Sequence, residues 1–162
     1  MDHSSYPETY IRGILRSVNV IAMVGASANW NRPSYFAMKY LQEKGYRVIP
    51  VNPKEAAAGA VILGEKTYAS LDEVPVAVDM VDCFRASDAI LPIAEDAIRI
   101  GAKVLWMQLG VVNDEAAGLA EAAGLKVVMN RCPKIEYGRL SREIGWLGVN
   151  TGVISSRRSR AI

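Results

Sequence analysis

The chain has 162 residues, of which 51% are hydrophobic and 22% charged, and a formal net charge of +2. That length suits one domain that buries a full core without disulfides or metals, and the small charge gives no electrostatic case for a nucleic-acid partner. No apolar run reaches the ~18 residues of a membrane span, and no charged start followed by an apolar stretch suggests a secretory signal.

Pro7 and Glu8 are good first-turn residues, and Ile11, Ile14 and Leu15 fall on one face, predicting a helix over 6–17. The apolar run 20–24 reads as the first strand. Residues 34–44, with Phe36, Met38, Tyr40 and Leu41, predict a helix stopped by Gly45. A second strand over 46–51 ends at Pro53. Residues 59–63 suit a short third strand and 70–73 a helical turn. Further on, 76–83 reads as a strand, and Ser87 or Asp88 caps a helix running to 100. Then come a strand over 104–108, a helix capped by Asn113 and stopped by Gly124, and a last strand over 127–129.

Helices and strands alternate, and no tight hairpin signal separates the strands. The expected fold class is therefore α/β, a Rossmann-like doubly wound parallel sheet of about five strands with helices on both faces. One domain is expected over 1–150, with a flexible basic tail over 151–162 that carries Arg157, Arg158 and Arg160.

The first strand breaks at Gly25-Ala26-Ser27, and a polar loop leads into the next helix. This is the strand, loop and helix of a nucleotide-binding unit, in which phosphates rest on backbone N–H groups at a helix N-terminus. It is not a GxGxxG fingerprint, because Ser27 and Trp30 stand where the later glycines would. Arg32, in the loop before the helix, can reach a diphosphate held by those amides, and Ser27 offers a hydroxyl to the same oxygens. The second strand ends in Asn52, Pro53 and Lys54, where an NAD-binding unit places an acid for the ribose diol. A base there asks for a phosphorylated ribose, which coenzyme A and NADP both carry.

Ligands of doubly wound sheets sit beyond the carboxyl ends of the strands. Besides the two loops above, those ends carry Phe84 and Arg85, Gln108 to Gly110, and residues 130–134. Lys54 and Arg85 bring positive charge, Phe84 an apolar surface for a base, and Gln108 both a donor and an acceptor. The one acid is Asp82, which suits a loop cap. Asp79 and Asp82 are three apart on a strand and face opposite sides, so they make no cooperating catalytic pair. The two cysteines, Cys83 and Cys132, and the single histidine, His3, form neither a metal-ligand spacing nor a Ser-His-Asp triad. Cys132, between Arg131 and Lys134, reads first as a small buried hydrophobe and second as a reactive thiol. Free thiols and the absence of a targeting signal describe a cytoplasmic protein.

Six segments taken in order carry a family resemblance: Gly25-Ala26-Ser27, Arg32-Pro33, Val51-Asn52-Pro53, Asp82-Cys83-Phe84-Arg85, Trp106-Met107-Gln108-Leu109-Gly110 and Asn130-Arg131-Cys132-Pro133-Lys134. The chain resembles the small single-domain CoA-binding proteins of bacteria, which are similar to the N-terminal CoA-binding domain of the succinyl-CoA synthetase alpha subunit. The resemblance spans roughly residues 7 to 145. It implies coenzyme A lying across the strand ends, with Gly25, Ala26, Ser27 and Arg32 at the diphosphate. Asn52, Pro53 and Lys54 would line the adenosine phosphate region, Phe84 and Arg85 would border adenine and ribose, and Gln108 and Gly110 would lie toward the pantetheine arm. The related ligases carry a phosphorylated histidine in a second domain, and His3 stands in the wrong place for that role. The expected function is thus binding of CoA or acyl-CoA as a carrier, sensor or accessory protein, with a protein partner supplying catalysis and no catalytic residue of its own. The alternative is an NADP-binding oxidoreductase fragment, because Lys54 equally suits a 2′-phosphate.

Overall fold

The computed structural model describes residues 1–142; the tail expected over 151–162 lies outside the described residues. In chain order the first elements are α1 (Glu8–Ser17), β1 (Val20–Val24), α2 (Pro33–Glu43), β2 (Arg47–Val51), α3 (Pro53–Ala57), β3 (Val61–Ile62) and β4 (Glu65–Lys66). They are followed by β5 (Met80–Cys83), α4 (Ile90–Arg99), β6 (Val104–Met107), α5 (Asp114–Ala122), β7 (Lys126–Val128) and α6 (Pro133–Leu140).

Five of the strands pair in parallel in the order β2-β1-β5-β6-β7. The strands are short apolar runs buried on both sides, the pattern a parallel sheet covered by helices requires. Alternation along them feeds two cores. Ile21, Met23, Met80 and Trp106 pack with Ile14 and Leu15 of α1, Met38 and Leu41 of α2, and Tyr137 of α6. Ala22, Val81, Cys83 and Leu105 face the other way, onto Ile90 and Ala94 of α4 and Ala117 and Ala120 of α5. The doubly wound α/β fold with helices on both faces is the one expected.

The register explains where the chemistry converges. Val24 stands level with Val51 on one side and Cys83 on the other, and Cys83 stands level with Met107. Gly25, Asn52, Phe84 and Gln108 therefore leave the sheet side by side. The strand order reverses between β1 and β5, and such a switch point is where open α/β sheets bind ligands.

Several local expectations need correction. β3 and β4 form an antiparallel hairpin, although no tight hairpin was expected. Its turn residues, Leu63 (φ 48) and Gly64 (φ 83), both take the positive φ of a type I′ turn. The strand expected over 76–83 pairs only from Met80, and two helices beginning at prolines, α3 and α6, were not anticipated. Neither Ser87 nor Asp88 caps α4: a 3-10 turn over Ser87–Ala89 precedes it, and the Ser87 hydroxyl accepts instead from the Val112 N–H. Asn113 does cap α5, accepting from the Ala116 N–H at 2.8 Å.

Candidate functional site

Two adjoining chambers lie along the strand ends. The smaller, about 210 Å³, is walled by Gly25, Asn52, Pro53, Leu71, Arg85 and Ile93 among others. The larger, about 630 Å³, takes Phe36 from α2, Phe84, Gln108 and Leu109 from the strand ends, and Cys132, Lys134 and Ile135 from the start of α6. Arg85 walls both. Six of the expected site residues, Gly25, Asn52, Pro53, Phe84, Arg85 and Gln108, thus reach a chamber wall. Ala26, Ser27, Arg32, Lys54 and Gly110 line neither.

Those five have other surroundings. Ala26 is buried beneath the loop, and its carbonyl accepts from Asn52 Nδ2 at 2.9 Å. Asn52 Oδ1 accepts from the Lys54 N–H, so one amide side chain caps α3 and ties it to the β1 loop. Arg32 occupies the N-cap position of α2 but makes no side-chain cap bond, and its guanidinium is exposed; Lys54 is exposed as well. Neither makes an ion pair among the described residues. The Gly110 N–H donates to Asn130 Oδ1 at 2.7 Å, holding the β6 and β7 ends together.

The loop amides are already engaged within the protein. The Ser27 N–H donates to Ser34 Oγ, Asn29 N–H to Ser27 Oγ, and Ala28 N–H to Glu55 Oε1 at 3.2 Å. Glu55 was missed because it lies one residue past the strand-end segment; an acid does stand beside this loop. An incoming diphosphate would displace that carboxylate before it could take the Ala28 amide.

Asp82 is no loop cap. It is wholly buried on β5, and both carboxylate oxygens accept from Gln108 Nε2, at 2.9 and 3.1 Å. Burial pushes its carboxyl up to about 7, against the opposing effect of the Gln108 amide. With its N–H group donated inward, Gln108 keeps its carbonyl oxygen for whatever fills the large chamber. Asp79 instead accepts from the Asn19 and Val20 N–H groups and pairs with Lys103 at the other end of the sheet. Burial raises the Cys132 thiol, with the Ile135 N–H acting against it, so this cysteine is not an activated thiolate. Cys83 is fully buried in the core, as is Trp106, whose indole N–H donates to the Arg131 carbonyl.

A CoA binding domain model matches residues 19–138. The chain belongs to the CoA-binding domain family. It is 37% identical over 127 residues, covering 78% of this chain and 91% of the relative, to the uncharacterized protein YneT of Bacillus subtilis (strain 168). A hypothetical protein from Pyrococcus horikoshii OT3 superposes with a TM-score of 0.79 at 40% identity, over 86% of this chain and 99% of that one. The dinucleotide forming acetyl-coenzyme A synthetase 1 of Ca. Korarchaeum cryptofilum superposes with a TM-score of 0.60 at 25% identity, over 72% of this chain but 28% of the synthetase. As a CoA-binding-domain protein, the chain disfavours the oxidoreductase reading. Two Tyr-x-x-x-Lys spacings do occur, Tyr35 with Lys39 on α2 and Tyr40 with Lys44 at its C-cap, but none of these residues lines either chamber. Among the described residues no group of His, Cys, Asp or Glu could hold a metal, and no helix is long and apolar enough to cross a membrane.

Proposed function

We propose that this CoA-binding-domain protein holds coenzyme A or an acyl-CoA across its strand ends, serving a carrier, sensor or accessory role for a partner that supplies catalysis. The observation that carries the reading is the pair of adjoining chambers at the switch point, joined at Arg85. The nucleotide would occupy the small chamber, with its phosphates between Arg85 and the exposed cations Arg32 and Lys54. The pantetheine arm would run through the large chamber past Phe84 and Gln108. The fold and site then resemble the CoA-binding domain of succinyl-CoA synthetase, and the free thiols suit a cytoplasmic setting. No nucleic-acid partner is proposed.

Calorimetric titration tests this directly. CoA should bind, and dephospho-CoA should bind more weakly by roughly 1.5–3 kcal/mol, the worth of a charge-assisted contact to the ribose phosphate. Equal affinities would remove Lys54 and Arg85 from that role, and tighter binding of NADP than of CoA would overturn the reading.

Arg32 gives a second check. Its exposed side chain caps nothing, so Arg32→Ala should leave apoprotein stability within about 0.5 kcal/mol while weakening CoA binding. Arg32→Lys should recover part of the affinity, since an ammonium lacks the bidentate fork. A lowered melting point with full affinity would make Arg32 structural.

A further inference from the structure

We infer that the large chamber receives an uncharged acyl chain, so that the preferred ligand is an acyl thioester of CoA rather than CoA itself. This rests on the CoA reading above and names the ligand form.

Three elements that are far apart in sequence each turn a large apolar side chain to this chamber while leaving it in water. Leu109 beyond β6 is 64% exposed, Phe36 on α2 is 47% exposed, and Ile135 on α6 is 46% exposed. Scattered single hydrophobes on a surface mean little, but a cluster around one concave site marks something that covers it. The neighbouring nucleotide chamber points to what that is. Arg85 walls both spaces, so a ligand anchored by its nucleotide in the 210 Å³ chamber has the 630 Å³ one beside it for its other end.

The larger space is three times the smaller, and aliphatic and aromatic side chains border it alongside Asn31, Gln108, Arg85 and Lys134. It falls within the range of sites that enclose a drug-sized organic group.

Charge selects the class of acyl group. Apart from Arg85 at the nucleotide boundary, the one cation that the described residues bring to the walls is Lys134, and its ammonium lies 5.9 Å from the centroid of the Tyr40 ring. That position suits a cation–π contact with the tyrosine. A terminal carboxylate, as in a dicarboxylic acyl group, would have Lys134 as its one nearby cation among the described residues, and would give up water against Leu109, Phe36 and Ile135 to reach it. A plain aliphatic chain matches Leu109, Phe36 and Ile135.

The test is calorimetry on the full chain with CoA and with acetyl-, butyryl-, octanoyl- and succinyl-CoA. Affinity should climb about fourfold for each added methylene until the chamber fills. Octanoyl-CoA should bind at least thirtyfold tighter than acetyl-CoA, and succinyl-CoA no tighter than acetyl-CoA. Leu109→Ser and Ile135→Ser, both at exposed positions, should reduce the octanoyl-to-acetyl ratio at least fivefold each. Equal affinity for CoA and every acyl-CoA would overturn the inference while leaving the CoA reading standing. Self-association that both serine variants abolish, with a flat acyl series, would assign the patch to a second copy and also overturn it. No binding of any of these ligands, CoA included, would overturn the CoA reading itself.

Discussion

Gly25→Ala is expected to destabilise the protein by roughly 3 kcal/mol, the cost of a strained backbone combined with an unrelieved clash. Gly25 has φ +88, and a Cβ there would stand 2.2 Å from the Phe84 carbonyl oxygen and 2.9 Å from its carbon. Neither side can give way. The Gly25 N–H donates to the Val51 carbonyl and the Phe84 N–H to the Val24 carbonyl, each at 2.8 Å, so both backbones are fixed to the sheet. The β1 and β5 loops therefore approach this closely only because residue 25 has no side chain. Gly101→Ala provides the control: its φ is +75, but nothing lies within 4 Å of the added Cβ. That variant should lose only about 1 kcal/mol, the conformational cost alone. Denaturant unfolding of both variants measures the difference. Equal losses would mean that the Phe84 contact relaxes and that Gly25 matters only for its φ.

The parts of the fold legible in the sequence were those with a local cause. Val20 to Val24 is an apolar run bounded by turn formers, and Asn113 with Gly124 marks both ends of α5 by side-chain capping and positive φ. What escaped had local signals that point two ways. Pro53 ends a strand segment and also opens a helix at its first turn, and only the first meaning was read; Pro133 likewise opens α6, and was read only as part of the motif after the last strand. The β3–β4 turn was hidden because Leu63, a residue that rarely takes positive φ, occupies one of its central positions.

The candidate site divides along the same line. Gly25, Asn52, Phe84, Arg85 and Gln108 were findable because each directly follows, or nearly follows, a strand. Arg32 and Lys54 were chosen for charge, and the structure leaves both side chains exposed and off the chamber walls. Phe36 and Ile135, on helices about a hundred positions apart, meet only through packing of α2 beside α6. Glu55 reaches back to the Ala28 amide from the far side of a helix start, and no spacing rule announces that contact.

Asp82→Asn is expected to change how stability depends on pH, by as much as about 4 kcal/mol between about pH 4 and pH 8. Asp82 is fully buried, with Gln108 as its hydrogen-bond partner, and its folded-state value is pushed up to about 7. In the unfolded chain the same carboxyl titrates near the ordinary value of about 3.9. Below about pH 4 it is protonated in both states and adds no penalty. Between about 4 and 7 the unfolded chain has released the proton and the folded chain retains it, so rising pH lowers stability by about 1.4 kcal/mol per unit. Above about 7 both states are ionised and the loss levels off. An asparagine cannot ionise, yet its carbonyl still accepts one N–H from Gln108. The stability of the variant minus that of the native chain should therefore increase by about 4 kcal/mol between pH 4 and pH 8. Taking the difference cancels the opposing contribution of Asp79, which its hydrogen bonds with the Val20 and Asn19 N–H groups and its Lys103 partner hold below the usual carboxylate range. Urea unfolding at half-unit pH intervals supplies both curves. A flat difference would mean that the Gln108 amide fully offsets burial and that Asp82 is an ordinary carboxylate. A rising one would mean that the residue orienting Gln108 at the large chamber changes charge near neutrality, and ligand affinity should then vary over the same pH range.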